Sequence, residues 1–312
     1  MRIYVGAFVT LLLLWACSSE IEIKTGYAQP KLVVYCFPGE GDTLFISLSQ
    51  TVPLNKLPES QPSVDSSLVC CSVNGHQEKA FYKGKQETQI PSLLFYVVYP
   101  AKEGDVVEVN VSNPDFEPVK AVTVIPNPCP VLGMGILSGV GYGNSYRQIQ
   151  VRLSDEVATD DYYAVKLLRQ DIYKNDTASR FEVIDVDKEP ILNWVTDVDR
   201  IFGYTNDFFN GLYVFHDKDV QGKMFTLRLN VPRSGLPEME ENERYVIRYR
   251  VLLYHLSKEY YRFYKSVNDK RNNDMGGYGL SFINMSYTNV MGGFGVVGAY
   301  RVVGSDWCEG TE

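Results

Sequence analysis

The chain has 312 residues, 45% hydrophobic and 22% charged, with a formal net charge of −8. That composition sets aside disordered, collagenous and coiled-coil classes, and so acidic a chain is a poor partner for nucleic acid. Only 3 His stand against 22 Tyr and 15 Phe, which disfavours imidazole acid–base or zinc chemistry and suits strands and ligand-facing surfaces.

The chain opens Met1-Arg2 and is then almost wholly apolar from Ile3 to Ala16, around Leu11-Leu12-Leu13-Leu14. A run of about 14 apolar residues is too short to span a membrane and suits the core of a signal peptide. It ends Leu14-Trp15-Ala16-Cys17, which resembles the cleavage box of bacterial lipoproteins. Residues 1–16 are therefore expected to be removed and Cys17 to carry the lipid, with residues 17–29 as a tether. Losing Arg2 takes the charge from −8 to −9. Acyl chains on one cysteine hold a protein at a bilayer, each buried CH₂ contributing about 0.8 kcal/mol. Ser18-Ser19-Glu20-Ile21-Glu22 resembles the surface-export signal of Bacteroidetes lipoproteins. The expected location is the outer membrane, facing outward.

Short strands follow. Lys31–Cys36 and Asp42–Gln50 flank Pro38-Gly39, and Leu44, Ile46 and Leu48 alternate with Phe45, Ser47 and Ser49. Period two argues a half-buried strand, and the linker makes a hairpin. Ser67–Val73 meets Asn74-Gly75 and then His76–Tyr82, the strongest short-range hairpin signal. Leu93–Tyr99, Asp105–Ser112 and Val119–Ile125 complete about seven strands over residues 30–126. The pattern predicts a β-sandwich of immunoglobulin or transthyretin type.

Pro126-Asn127-Pro128-Cys129-Pro130 cannot continue a ladder, so residues 127–130 are expected to link two domains. The second, residues 131–312, opens with a Gly-rich loop, Gly133–Gly143. Strands are expected at Arg147–Leu153, Tyr162–Arg169, Phe181–Val186, Met224–Val231 and Tyr245–His255, making another sandwich-like β domain. A helix is expected near 257–270. Ser257 caps it, Glu259 suits its N-terminal end, and Lys270 and Arg271 suit its C-terminal end. Tyr260, Phe263, Tyr264 and Val267 form an aromatic-rich stripe at helical spacing, which either packs on the sheet or serves as a ligand platform. Tyr287 to Val303 reads as Gly-rich strands.

No motif points to catalysis, a metal or a cofactor. Gly293-Phe294-Gly295-Val296-Val297-Gly298 has dinucleotide-fingerprint spacing, but no helix or acidic residue follows at the required distance. Its glycines are expected to let strand backbones approach or bulge. His216-Asp217-Lys218-Asp219 reads as a solvated turn, and Asp155, Asp160 and Asp161 lack the spacing of a calcium loop. Paired carboxylates could still meet from distant segments. Besides Cys17, the cysteines are Cys36, Cys70, Cys71, Cys129 and Cys308. An odd number leaves at least one thiol free, and adjacent Cys70 and Cys71 face opposite sides of a strand. Asp176-Thr177-Ala178 resembles a Bacteroidetes O-glycosylation acceptor, with Thr177 placed in a polar loop.

Over most of its length the chain resembles a Bacteroidetes lipoprotein family, domain of unknown function 4249. The resemblance rests on Pro30-Lys31-Leu32-Val33-Val34-Tyr35, Asp161-Tyr162-Tyr163, Phe215-His216-Asp217 and Leu256–Phe263. Most specific is Asn289-Val290-Met291-Gly292-Gly293-Phe294-Gly295-Val296-Val297-Gly298-Ala299-Tyr300. The resemblance implies a surface-exposed, two-part β-rich lipoprotein of the kind encoded beside SusC-like TonB-dependent transporters. It supplies no catalytic residues.

The leading expectation is a non-enzymatic accessory or ligand-capture lipoprotein of such a transporter, with a glycan or peptide ligand. Tyr204, Phe208, Phe209 and Tyr213, in the least regular aromatic stretch, are the candidate ligand contacts. The alternatives are an adhesive, fimbria-associated module and a carboxylate-dependent hydrolase.

Overall fold

The computed structural model describes residues 29–52, 63–86, 91–128, 131–140, 146–155, 159–173, 176–182, 184, 189–192, 208–232, 245–272 and 286–309. The protein is mainly β, with four sheets and one α-helix among the described residues.

β1 (Leu32–Cys36) and β2 (Thr43–Gln50) form the expected antiparallel hairpin. β3 (Leu68–Val73) turns into β4 (His76–Glu78) through Asn74 at φ 51° and Gly75 at φ 79°. Two consecutive left-handed residues make the primed turn that matches strand twist, which is why Asn-Gly occurs there. β5 (Ala80–Gln86), β6 (Ser92–Val98), β7 (Val106–Asn113) and β8 (Phe116–Val124) follow. The single strand expected over His76–Tyr82 is thus two strands in different sheets. The chain crosses at Lys79 from the sheet β4-β3-β7-β8 to the one holding β1, β2, β6 and β5. Inward residues of both sheets, including Val34, Ile46, Leu48, Cys71, Val109 and Val119, share one apolar core. Burying each larger side chain there contributes about 1.5–3 kcal/mol.

The second unit holds β9 (Val131–Val140), β10 (Tyr146–Ser154), β11 (Tyr162–Tyr173), β12 (Asp176–Phe181), β13 (Tyr213–His216), β14 (Met224–Pro232) and β15 (Tyr245–Leu256). Residues 133–140, expected as a loop, belong to β9, which pairs with β10 at the edge of the sheet β14-β10-β9. An edge with shifts of register tolerates glycine. The strand expected from Phe181 onward instead ends there, as β12. Sheet β14-β10-β9 faces the β12-β11-β15 sheet across Ile149, Val151, Val165, Leu227, Leu229 and Val251.

The helix α1 (Lys258–Arg271) starts where expected, with the Ser257 hydroxyl accepting the Tyr260 N–H at 3.3 Å. Tyr260, Tyr261 and Tyr264 pack on Ala164, Leu212, Val214 and Leu256, on the outer face of the second unit's larger sheet. The same helix also meets the first unit. The rings of Tyr260 and Phe37 stack with centroids 4.7 Å apart, and Phe263 meets Tyr35 edge-on at 5.9 Å. The aromatic stripe is therefore packing, shared between two sheet faces.

β16 (Phe294–Val297), β17 (Tyr300–Gly304) and β18 (Cys308–Glu309) close the chain's described part. β16 pairs parallel with β1, from Val33↔Phe294 to Cys36↔Val297, while Met291 bridges to Lys120 on β8. Val290, Val297 and Ala299 enter the first core, and β17 then returns to β15. Val290, Val297 and Ala299, which follow the expected linker at residues 127–130 by more than a hundred and fifty residues, thus pack with the strands that precede it. No described helix is long and apolar enough to cross a membrane.

Candidate functional site

The outer face of the sheet containing β2, β6 and β5 carries a row of three aromatics directly opposite one another. Phe45 pairs with Tyr96, and Tyr96 with Phe81. Alternation puts them there: the neighbours Leu44, Ile46 and Val97 point into the core, so the residues between them point out. Phe81 and Tyr96 stack with centroids 5.3 Å apart at 21°. Phe45 is 45% exposed and Phe81 38%. Lys83 lies over the Phe45 ring at 4.6 Å and Lys79 over Phe81 at 4.8 Å. Toward β1 the same sheet face is covered by α1, through Tyr35 and Phe37. Toward β5 the row is open to solvent. Contiguous exposed apolar surface of this kind marks binding sites. Alternation in the sequence shows Phe45 on the outer face of β2, but not the rings of β6 and β5 that lie beside it.

Among the expected ligand contacts, Phe208 and Tyr213 are core residues, 6% and 3% exposed. Their rings meet at 4.5 Å, and the Tyr213 hydroxyl accepts the Ile184 N–H at 2.8 Å. These two positions are corrected: their aromatic surface is spent on the second core. Phe209, in the 3-10 turn Phe209–Gly211, is 36% exposed and touches Tyr264 of α1. Tyr204 lies outside the described residues, as does Cys17. Thr177 is exposed, yet it stands on β12 opposite Ile172 and not in a loop.

A groove of about 520 Å³ is lined by Ile191, Val220, Met224 and Phe225, with Glu189 among its walls. Glu189 is 5% exposed and accepts the Arg228 N–H at 2.7 Å. Burial pushes its carboxyl above the usual carboxylate range.

A second constellation gathers at strand ends. Asp155 follows β10, Asp161 precedes β11 and Asp217 follows β13, and a carboxylate oxygen from each lies within 4.8 Å of the others. Asp155 accepts the Tyr163 hydroxyl at 3.0 Å and the Gly222 N–H at 2.9 Å. Asp161 accepts the Thr159 hydroxyl at 2.7 Å and stands 3.1 Å from His255 Nε2. The other His255 nitrogen lies 2.8 Å from the Asn127 carbonyl. Asp217 is fully buried, correcting the expectation of a solvated turn over 216–219. Its Oδ2 accepts the Asp161 N–H at 3.0 Å. Its Oδ1 has no hydrogen-bond partner among the described residues; His216 Nε2 is 3.5 Å away, and His216 Nδ1 is occupied by the Lys218 N–H. Burial, reinforced by the charge of Asp155, pushes the Asp217 carboxyl up, although the Asp161 N–H works the other way. Burial also acts to raise Asp161, but hydrogen bonds from His255 and Thr159 hold it below the usual range.

The family model described as a domain of unknown function, DUF4249, matches residues 18–305. The chain belongs to that family. No curated protein matches it. The stretch Asn289–Tyr300 is a clasp between the units, pairing with β1 through β16 and leading into β17 beside β15. Gly295 is at φ 100°, and a Cβ there would overlap the Val34 carbonyl. A Cβ on Gly298 would come 2.8 Å from the Cβ of Tyr260. The Asn289 amide donates to the carbonyls of Val297 and Val122, at 2.8 and 3.1 Å, and its carbonyl accepts the Val297 N–H at 3.0 Å. The fingerprint-like glycines thus serve close backbone approach, as expected.

Proposed function

We propose that this DUF4249 member is a lipid-anchored, surface-exposed outer-membrane protein, tethered through Cys17. It acts without catalysis, as an accessory or ligand-capture component of a TonB-dependent, SusC-like uptake system. We read its first unit as a sandwich of immunoglobulin or transthyretin type and its second as sandwich-like. The observation that carries the reading is the open row Phe45, Tyr96 and Phe81 across three paired strands. Three rings at strand spacing offer a flat strip on which the C–H face of a sugar, or an extended peptide, can lie, and Lys79 and Lys83 frame it with hydrogen-bond donors.

The adhesive alternative needs an edge open to strand addition. β5 is such an edge, but Lys83, Lys85 and the register shift at Gly84 blunt it. The hydrolase alternative needs carboxylates that a substrate can reach. Those that do meet include Asp155, 7% exposed, and the fully buried Asp217.

Binding of the full chain to a panel of neutral oligosaccharides and peptides tests the proposal, with a Phe45→Ala/Phe81→Ala double variant alongside. Both positions are solvent-exposed, so folding should persist. Binding by the wild type and its loss in the variant is the expected result. Equal binding by both, or none by the wild type across the panel, would contradict it.

A further inference from the structure

The carboxylate cluster of the second unit plays no part in the proposed ligand capture, and its electrostatics are unresolved as they stand. Three acids from three strand ends meet at a place where two are almost fully withdrawn from water. Burying an ionised carboxylate is costly unless it is paired or coordinates a metal. Asp155 is answered by the Tyr163 hydroxyl and the Gly222 N–H, and Asp161 by Thr159 and His255. Asp217, the most buried of the three, accepts a hydrogen bond on Oδ2 only; Oδ1 has no hydrogen-bond partner among the described residues and faces His216 Nε2 at 3.5 Å. That missing hydrogen bond is an observation separate from the clustering, and it belongs to a side chain that solvent cannot reach.

We propose that Asp155, Asp161 and Asp217 form a calcium-type divalent cation site that ties together the ends of β10, β11 and β13. The donors are all oxygens and all carboxylate, which selects a hard cation over zinc or copper. The three donor atoms all lie within 4.8 Å of one another, close enough for one ion to be held directly by an oxygen from each. Magnesium prefers compact octahedra that retain most of their water. Asp161 is the partly exposed member, so it marks the side from which an ion and its remaining water ligands would enter. Lys218 N–H occupies His216 Nδ1, and the surrounding backbone N–H groups of Asp161 and Gly222 orient the carboxylates from behind. The cluster is in this sense already organised before any ion arrives, and Gly222, at φ 69°, shapes the turn that delivers its N–H.

The test is calorimetric titration of chelator-stripped, full-length protein with calcium chloride, with magnesium and zinc chloride as parallel arms. Terbium provides a second readout, because Tyr163 touches Asp155 and can sensitise terbium emission. The expected result is one saturable calcium site and a rise in melting temperature on binding. Terbium emission should appear and calcium should displace it. Asp217→Asn should weaken calcium by more than about 100-fold, beyond the about 10–100-fold typical for groups that only support a ligand. Should Asp217→Asn not fold, Asp155→Asn and the terbium displacement on wild type carry the same decision. Absence of calcium binding up to about 10 mM, well above the about 1 mM of weak extracellular calcium modules, would overturn the proposal. So would calcium binding unchanged in the folded variants, or a site that takes zinc in preference to calcium.

Discussion

Ser257 and Ala299 hold each other twice: the Ser257 N–H donates to the Ala299 carbonyl at 2.8 Å, and the Ala299 N–H donates to the Ser257 hydroxyl at 3.1 Å. The same hydroxyl accepts the Tyr260 N–H that opens α1. The start of the helix and the passage from β16 to β17 are therefore one junction. Removing a cap costs about 1 kcal/mol, and orphaning a buried N–H costs about 1–3 kcal/mol more. Ser257→Ala should lower stability by about 2–4 kcal/mol. Denaturant unfolding checks this as a lower midpoint at unchanged slope, and Ser257→Thr should restore most of the loss.

Gly295 is a sharper lesion. Any side chain there meets the Val34 carbonyl and must also adopt a left-handed backbone. Gly295→Ala should unseat β16 from β1 at a cost of about 3 kcal/mol or more. Hydrogen exchange at the amides of β1 and β16 should rise together, while exchange in β10 and β14 stays as in wild type.

Asp105 gives a pH dependence whose sign is fixed. Burial acts to raise its carboxyl, but the Lys102 N–H, the Asn74 amide, the Tyr99 hydroxyl and the Lys102 charge together hold it below the usual range. The hydrogen bonds from Lys102 and Asn74 are both 2.8 Å. A carboxyl held low in the native state adds stability above its unfolded value and loses it as pH falls through the native one. Asp105→Asn should thus destabilise the protein at neutral pH. The gap to wild type should close below the ordinary Asp range, about pH 4 and lower, as measured by urea unfolding at a series of pH values.

The thiols should separate by burial. Cys36 and Cys71 are core residues, and Cys70 and Cys308 are part-exposed; all four are free. Burial pushes the Cys36 thiol up, and raises Cys71 to about 11. A thiol that is both buried and protonated is unreactive. Native labelling at pH 8 should modify Cys70 and Cys308, leaving Cys36 and Cys71 to react only after unfolding. Mass mapping of the labelled peptides decides it.

Local physics made much of this fold legible. Alternation placed β2, Asn74-Gly75 placed the β3–β4 turn, and Ser257 placed the start of α1, because each signal lies within a few residues of its effect. What escaped was non-local. Gly293 and Gly295 show that backbones approach, but not that the partner is β1. Gly133 and Gly135 resemble loop glycines because edge pairing leaves no mark on composition. Phe208 and Tyr213 looked like binding aromatics since burial depends on what packs above them. Asp155, Asp161 and Asp217 come together only when three strand ends meet. Phe45, Tyr96 and Phe81 share a row only once the register of β2, β6 and β5 is set.

The central claim is that this protein works at the outer membrane beside a transporter. The most direct measurement is cross-linking in native cells, followed by purification of the tagged full chain from solubilised outer membranes and mass spectrometry of what comes with it. The account predicts an acylated Cys17 and a co-purifying TonB-dependent receptor. A protein with unmodified Cys17, or one recovered from outer membranes with no such receptor, would contradict it.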